Sequence, residues 1–546
     1  MSIRKFGIFT SYNPRVDLRA EGLGRHLAMF IKGATQAEDV KVSVACPSWS
    51  RKNLADLFEE FNIAEDRFEF IGPQKPSLLW SSIECLSLIR KRLGKKKRQI
   101  QKRSGRLTRL LGLIKNSASY FVRLVARSRN PFVFVPFALF GFVASPLILA
   151  LGGILWLIRR VIRVLRSPAA NVIGGARRKV DALRSLLSKA VHFIYRSVLD
   201  EEAATVVRYA NKRKDIPVWY CPAAFWPQVN FINSPTLVCV PDVVPIHFPV
   251  GFSSQGGPQM LVSYKEIEKT ILGASNFVTY SAEIKHSTLV NRFGVNGKNI
   301  HVVRHGASRL DHLTTVSGFP DNEKASENMC SQYFSAALSK SINNWNGSRF
   351  ASPNLEFLFY PSQFRPNKNV LTLLRAFKWL RREKLLHYKL ILTGDLRRDV
   401  PILSFLDKYD LHDDVLCMPR LTEKELAGAY FKAALAINPS LAEGGTPFTF
   451  TEALSVGTPV IMSDIPVTKE TITDETLYEM TTFNGMDWHA LADKILWALE
   501  NRNDLLTVQR GFYESVLKRR NWQHVARDHL DILENIALKN GGNQYG

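Results

Sequence analysis

The chain has 546 residues, 46% of them apolar, which is more than one ordinary core takes up and excludes a disordered polymer. Six cysteines, Cys46, Cys85, Cys221, Cys239, Cys330 and Cys417, show no CxxC pair or recurring spacing, which argues for a reducing compartment and against a disulfide framework or a zinc site. The formal net charge of +24 is concentrated: residues 90–189 hold 24 Lys and Arg against one acid, Asp181, leaving the remainder close to neutral and disfavouring a nucleic-acid surface.

The amino-terminal MSIRKFGIFTSYNP enters a strand-like run after five residues and carries no apolar core with a small-residue cleavage site, so no secretory signal is expected. Apolar runs at 6–12, 40–47 and 67–72 read as strands, and LGRHLAMFIKGA between the first two reads as an amphipathic helix. At 75–200 the pattern breaks. PFVFVPFALFGFVASPLILALGGILWLI, 131–158, is 28 residues without a charge, and it lies between the basic runs KRLGKKKR and RRVIRVLR. A span needs about 20 apolar residues, so the segment suits one crossing and not two. A single crossing, however, would leave the halves of one sheet on opposite sides of the bilayer. The expectation is therefore a re-entrant or interfacial helical hairpin at the cytoplasmic face of the (inner) membrane. Its bends fall at Gly141, Ser145, Pro146 and Gly152-Gly153, and its basic shoulders rest on anionic headgroups. A buried core helix pair is the plainer alternative, disfavoured by the basic flanks.

Strand-like runs resume at 218–221, 237–242, 277–281 and 301–306, with AEIKHSTLVNRFG as a helical stretch. A polar connection, 311–352, contains one helical segment, FSAALSKSI. A second alternation follows at 355–363, 388–395, 414–419, 435–440 and 458–464 and ends in helices. Strands alternating with helices indicate parallel sheets wound on both faces. The expected fold is α/β, two Rossmann-like doubly wound domains facing across a cleft. The first is split into 1–74 and 201–310 by the membrane-associating insertion 75–200; the second is 353–520, and a tail helix at 521–546 packs back on the first. Ligands in such sheets collect at the carboxyl ends of the strands.

One such end is LAINPSLAEGGTPFTFTEALSVGTPV, 435–460. Glu443 should project into the cleft from the loop after a strand, and Gly444 and Gly445 allow a ligand close to the backbone. Thr446 and Pro447 open into a helix stopped by Gly457, and the amides at its start suit a phosphate. Glu452 on that helix suits ribose hydroxyls and Glu443 the hydroxyls of a sugar. Taken alone, the loop reads equally well as a surface turn with helix-favouring glutamates. In FYPSQFRPNKNVLTLLRAF, 359–377, Arg365 and Lys368 sit at the end of the second domain's first strand, where a cation pair could neutralise a diphosphate leaving group.

With PSQFRPNKN, LLRAF, ILTGD and INPSLAEGG through EALSVGTPVIMSDIPVTKE, the second domain resembles the retaining glycosyltransferases of family 4 (group 1), which have the GT-B fold. The first domain resembles them more loosely, in EGLGRHLA, PDVVPIHFP and VTYSAEIK through VVRHGAS. The resemblance implies a hexosyltransferase using a nucleoside diphosphate sugar. Lys368 and Arg365 would hold the diphosphate, Glu452 the ribose and Glu443 the donor sugar, with Gly444, Gly445, Thr446, Pro447 and Phe448 around sugar and phosphates. Gly22 and Gly24 match the family's glycine-containing loop near the phosphates, Arg25 and Asp242 fall on the acceptor side, and Trp522 resembles the start of the returning tail helix. Three departures stand out: eight residues separate Glu443 from Glu452 where seven are usual, the usual arginine position aligns with Gln363, and Pro241-Asp242 replaces a usual His-Asp.

The resemblance implies retention through front-face displacement without a cofactor, and no metal is expected, since a DxD motif is absent. The basic and apolar insertion points to a lipid-linked glycan acceptor, as in lipopolysaccharide or another cell-surface polysaccharide, with no nucleic acid among the partners. Two rival readings belong to other classes: another GT-B enzyme, an epimerase or phosphorylase, and a non-catalytic membrane-bound scaffold with a degenerate nucleotide-sugar site.

Overall fold

A computed structural model describes residues 4–84 except 15, 17 and 19–21, then 122–127, 134–136, 175–257, 259–341, 347–352, 355–396 and 399–541. Seven strands, β1 (Arg4–Phe9), β2 (Val40–Ala45), β3 (Phe68–Ile71), β4 (Trp219–Cys221), β5 (Thr236–Cys239), β6 (Asn276–Thr279) and β7 (Ile300–Val302), form one sheet in the order β3-β2-β1-β4-β5-β6-β7. Six more, β8 (Phe357–Tyr360), β9 (Lys389–Leu392), β10 (Val415–Cys417), β11 (Leu435–Asn438), β12 (Val460–Ser463) and β13 (Thr482–Phe483), form a second in the order β10-β9-β8-β11-β12-β13. Every pairing is parallel.

Strands covered on both faces read as continuous apolar runs, and FLFY, LAIN and VIMS are buried at all four positions. Each fully buried Leu, Ile or Phe there contributes roughly 1.5–3 kcal/mol. Twelve of the thirteen strands among the described residues lie in or overlap runs read from the sequence. The exception, β13, is two residues long and leaves no apolar run to detect.

Two boundaries differ from expectation. The helix Gly175–Lys212 is continuous, so the expected insertion limit at 200 falls inside it; its Val206, Val207 and Ala210 belong to the first domain's core. The two ends of the insertion meet. Trp80 packs 5.8 Å from Tyr195 and 5.1 Å from Trp49, with Ala126 and Val198 in the same small cluster. Within the polar connection, the helix Asn322–Ser341 is longer than FSAALSKSI and is not merely a link. It buries Cys330, Phe334, Ala337 and Leu338, and Phe334, Ala337 and Leu338 join Phe357 and Tyr430 in a core layer of the second domain.

Apart from 134–136, the expected membrane hairpin at 131–158 lies outside the described residues, and so does most of the basic segment 90–189. Among the described residues no helix is long and apolar enough to cross a membrane. The last helix, Trp522–Gly541, returns from the second domain to the first, where Val525, Ala526, Leu530, Leu533 and Ile536 enter the core. Gly33 of the helix Gly22–Thr35 permits this approach, since a Cβ there would lie 2.5 Å from the Trp522 carbonyl oxygen.

Candidate active site

Strand order in the second sheet reverses between β8 and β11, which pair with Leu435 opposite Leu358 and Ala436 opposite Phe359. The loops leaving their carboxyl ends diverge there and open a crevice. Those loops carry Lys368 and Glu443, and Lys368 Nζ donates to Glu443 Oε1 at 2.5 Å. They are stitched together beneath the pair: the Leu441 amide donates to the Asn367 carbonyl at 2.8 Å, and Asn367 Nδ2 to the Ala442 carbonyl at 3.1 Å. Tyr360, the last residue of β8, donates through its hydroxyl to the Lys368 carbonyl at 3.2 Å. Burial opposes the ammonium charge, but Glu443 and Tyr360 outweigh it and hold the Lys368 pKa above its ordinary value. Arg365 Nη2 donates to Gln363 Oε1 at 3.2 Å, so the arginine neighbours the glutamine at the position where the resemblance leads one to expect an arginine.

The helix Phe448–Ser455 starts after Pro447 with no side chain capping its amides, and Gly457 beyond it adopts φ +81°, a left-handed conformation that suits glycine. Glu452 on this helix is only 4% exposed. Its Oε1 accepts from Ser308 Oγ at 2.9 Å and its Oε2 from the Tyr430 hydroxyl at 3.2 Å. Arg25 Nη2 stands 3.6 Å from Glu452 and 3.1 Å from Glu423. The carboxylate expected to face a ribose thus already has three partners. Tyr430 remains a donor because burial, reinforced by Glu452, keeps its pKa well above 10. Its helix, Glu423–Lys432, is fixed by a capping box in which the Thr422 amide donates to Glu425 at 2.8 Å and Thr422 Oγ1 accepts from the Glu425 amide.

The first domain closes directly on the loop at 443–448. Gly444 lies against Pro241, where a Cβ would come within 1.8 Å of the Pro241 carbonyl oxygen, and Ser281 Oγ donates to the Gly444 carbonyl at 3.0 Å. Asp242 follows, its carboxyl pKa raised by burial despite the Val244 amide and Arg365. Gly445 abuts His305 and Tyr280. Thr446 shares a hydrogen bond with Thr471 at 3.0 Å, and the Phe448 ring lies 5.2 Å from His305. Glu470 accepts from the amides of Ala282 at 2.9 Å and Glu283 at 2.5 Å. Gly24 is required by the Leu18 carbonyl oxygen, 2.1 Å from where a Cβ would stand, whereas at Gly22 no neighbour demands glycine.

The fold thus gathers Arg365, Lys368, Glu443, Gly444 to Phe448, Glu452, Arg25 and Asp242 between the domains. Sequence reasoning missed Tyr280, Ser281, His305, Ser308, Tyr430 and Glu470. His305 and Ser308 lay within a quoted segment, VVRHGAS, but no pattern marked them as site residues. Among the described residues no cluster of three His, Cys, Asp or Glu could hold a metal ion.

Residues 342–510 match the family model of glycosyl transferases, group 1. The match takes in the whole second sheet with Lys368, Glu443 and Glu452, so the second domain is similar to group 1 glycosyl transferases. A search of curated proteins returns no relative. Among solved structures, sucrose-phosphate synthase from Thermosynechococcus elongatus superposes with a TM-score of 0.53 at 13% identity, covering 98% of this chain and 99% of that one. Anabaena HepE in complex with UDP and glucose gives 0.51 at 11% identity over 97% and 100%. The N-terminal domain of Candida albicans trehalose-6-phosphate phosphatase gives 0.51 at 11% over 98% and 97%. Identities this low establish the fold alone: two facing Rossmann-like domains, the GT-B arrangement.

Proposed function

We propose that the protein is a retaining, metal-independent glycosyltransferase of family 4. It moves a hexose-type sugar from a nucleoside diphosphate sugar to a hydroxyl of a lipid-linked glycan held at the cytoplasmic membrane face, in cell-surface polysaccharide assembly. The observation that carries this reading is the Lys368–Glu443 pair at the β8/β11 crevice, beside the uncapped start of the helix Phe448–Ser455. Anabaena HepE, which shares the fold, was solved with UDP and glucose, and that favours a nucleotide-sugar donor here.

In this reading the diphosphate lies between Lys368, Arg365 and the amides that open the helix, where oriented donors act on developing charge without reorganising. Glu452 takes the ribose hydroxyls and Glu443 those of the sugar. The bond from the anomeric carbon to the phosphate oxygen breaks while the acceptor oxygen bonds to the same face. The departing phosphate oxygen takes the acceptor proton, so no protein nucleophile is required. Asp242 lines the acceptor side. The uncharged stretch 131–158 between basic flanks favours docking on anionic lipid, where a lipid-linked acceptor diffuses in two dimensions.

A thermal-shift panel of nucleoside diphosphates tests the donor site, since a ligand bound only by the folded form raises stability as ln(1 + [L]/Kd). No shift with any of them would remove the nucleotide reading. Deletion of 131–158 tests the acceptor: retained membrane association and retained transfer to a lipid-linked acceptor would refute the membrane part.

A further inference from the structure

We propose that Arg304–Ser308 is a strap that sets the donor loop in place, with His305 as its positioning residue; this rests on reading 443–448 as the donor loop. The five residues leave β7 and contact two other parts of the protein. Towards the tail, the Ala307 amide donates to the Arg520 carbonyl at 2.9 Å, and Arg520 Nε donates to the Arg304 carbonyl at 3.0 Å. Gly306 lets the tail backbone in, since a Cβ there would lie 2.8 Å from Asn521 C and 2.9 Å from Trp522 N. Towards the second domain, the Ser308 amide donates to Thr451 Oγ1 at 3.1 Å and Ser308 Oγ to Glu452 Oε1 at 2.9 Å.

His305 sits at the centre. A Cβ on Gly445 would be 2.6 Å from its Cδ2, so the imidazole rests directly on the backbone of the donor loop. Its ring lies 3.9 Å from Tyr280, 5.2 Å from Phe448, 5.5 Å from His26 and 6.2 Å from Trp522. Its Nδ1 is buried without a hydrogen-bond partner among the described residues. The contacts His305 makes with its neighbours are those of a ring packed edge and face. A strap that touches Gly445 with one residue and Glu452 with another fixes the spacing of the sugar and ribose ends of the site. The tail helix, in turn, is coupled to that spacing through Arg520 and Trp522.

Hydrogen–deuterium exchange on the ligand-free full chain reads the strap without any need for turnover. His305→Ala should speed exchange at Gly444, Gly445, Thr446 and Phe448 by about tenfold, leave the tail amides of 525–533 at wild-type rates, and be reversed by His305→Phe. With UDP-glucose as donor, His305→Ala should lower kcat by about tenfold or more while the Kd for UDP changes less than about threefold, because a displaced but intact site still binds. Unchanged exchange at the loop, equal acceleration at 525–533, or failure of His305→Phe to restore the loop would each overturn the proposal. Wild-type protein that binds no nucleoside diphosphate would refute the donor reading, while the exchange result would still decide the strap.

Discussion

Lys368 and Glu443, 75 residues apart in sequence, meet at 2.5 Å because they leave adjacent parallel strands at the point where strand order reverses. Without ligand the pair neutralises itself. A diphosphate competing for the ammonium would release Glu443 toward the sugar, so one exchange of partners prepares both ends of the donor.

Lys368→Ala should therefore lower kcat/KM with a nucleoside diphosphate sugar by about 10²–10³, the usual cost of removing one preorganised charge donor. Thermal stability should fall as well, because the two side chains are only 22% and 16% exposed and the substitution leaves Glu443 as a largely buried carboxylate without its cation. Steady-state kinetics beside a melting curve separates the two. A large loss of Tm with unchanged kcat/KM would make the pair structural. Lys368→Arg should fail to rescue, since a planar fork does not replace a compact point charge at this spacing.

Glu452 predicts a different pattern, because its carboxylate is both candidate ligand and buried acceptor. Glu452→Ala leaves the Ser308 and Tyr430 hydroxyls without their acceptor, at a cost of about 1–3 kcal/mol each at most. The variant should melt lower and also bind nucleoside diphosphate at least about tenfold more weakly, as expected for a lost charge-assisted hydrogen bond of roughly 1.5–3 kcal/mol. Glu452→Gln should recover much of the stability and little of the binding. Calorimetric titration of both variants checks this, and a Gln variant that binds as wild type would remove Glu452 from the ribose site.

Gly444 reports on closure. An alanine Cβ would meet the Pro241 carbonyl oxygen at 1.8 Å, a backbone atom that no side-chain rotation can move away. Gly444→Ala should keep the domains apart and lower kcat by about tenfold or more, as misplacement of reacting groups does. UDP affinity should fall much less, because Lys368 and Glu452 both belong to the second domain. Small-angle scattering with and without UDP gives the independent readout: the variant should fail to contract. Normal contraction with normal kcat would show that 241–242 yields easily.

Most of the sheet framework was readable because parallel strands buried on both faces leave unbroken apolar runs, as FLFY and VIMS do. The Lys368 and Glu443 loops were readable for the same reason, since each follows such a run. Ser308, His305 and Glu470 were not. Their roles arise from one domain meeting the other, and Glu470 caps amides at 282–283 from 187 residues away, which no local pattern encodes. The helix Gly175–Lys212 defeated the boundary for a simpler reason: its basic amino-terminal half shares the composition of the insertion, while Val206, Val207 and Ala210 belong to the core.

The junction of tail helix and first domain predicts how stability varies with pH. His529 is buried, donates from Nδ1 to the Val525 carbonyl at 2.8 Å, and packs its ring 5.2 Å from Phe30 and 5.3 Å from Tyr220. Burial lowers its pKa from 6.5 to about 4, and burial lowers that of His305 to about 3. The folded state thus keeps both neutral while the unfolded chain takes up protons from about pH 6.5 downward. Stability from these groups is complete above pH 6.5 and is lost as pH falls toward 4, each histidine contributing a slope of up to about 1.4 kcal/mol per pH unit. Between pH 6.5 and 4.5 the paired carboxylates Asp39 and Asp215, held below their ordinary values by Arg4 and Arg213, stay ionised and add little to this slope. His529→Asn should cost some stability at pH 7.5, where packing is lost, yet melt with a shallower dependence between pH 6.5 and 4.5. Parallel curves for variant and wild type would show that His529 does not carry the acid sensitivity.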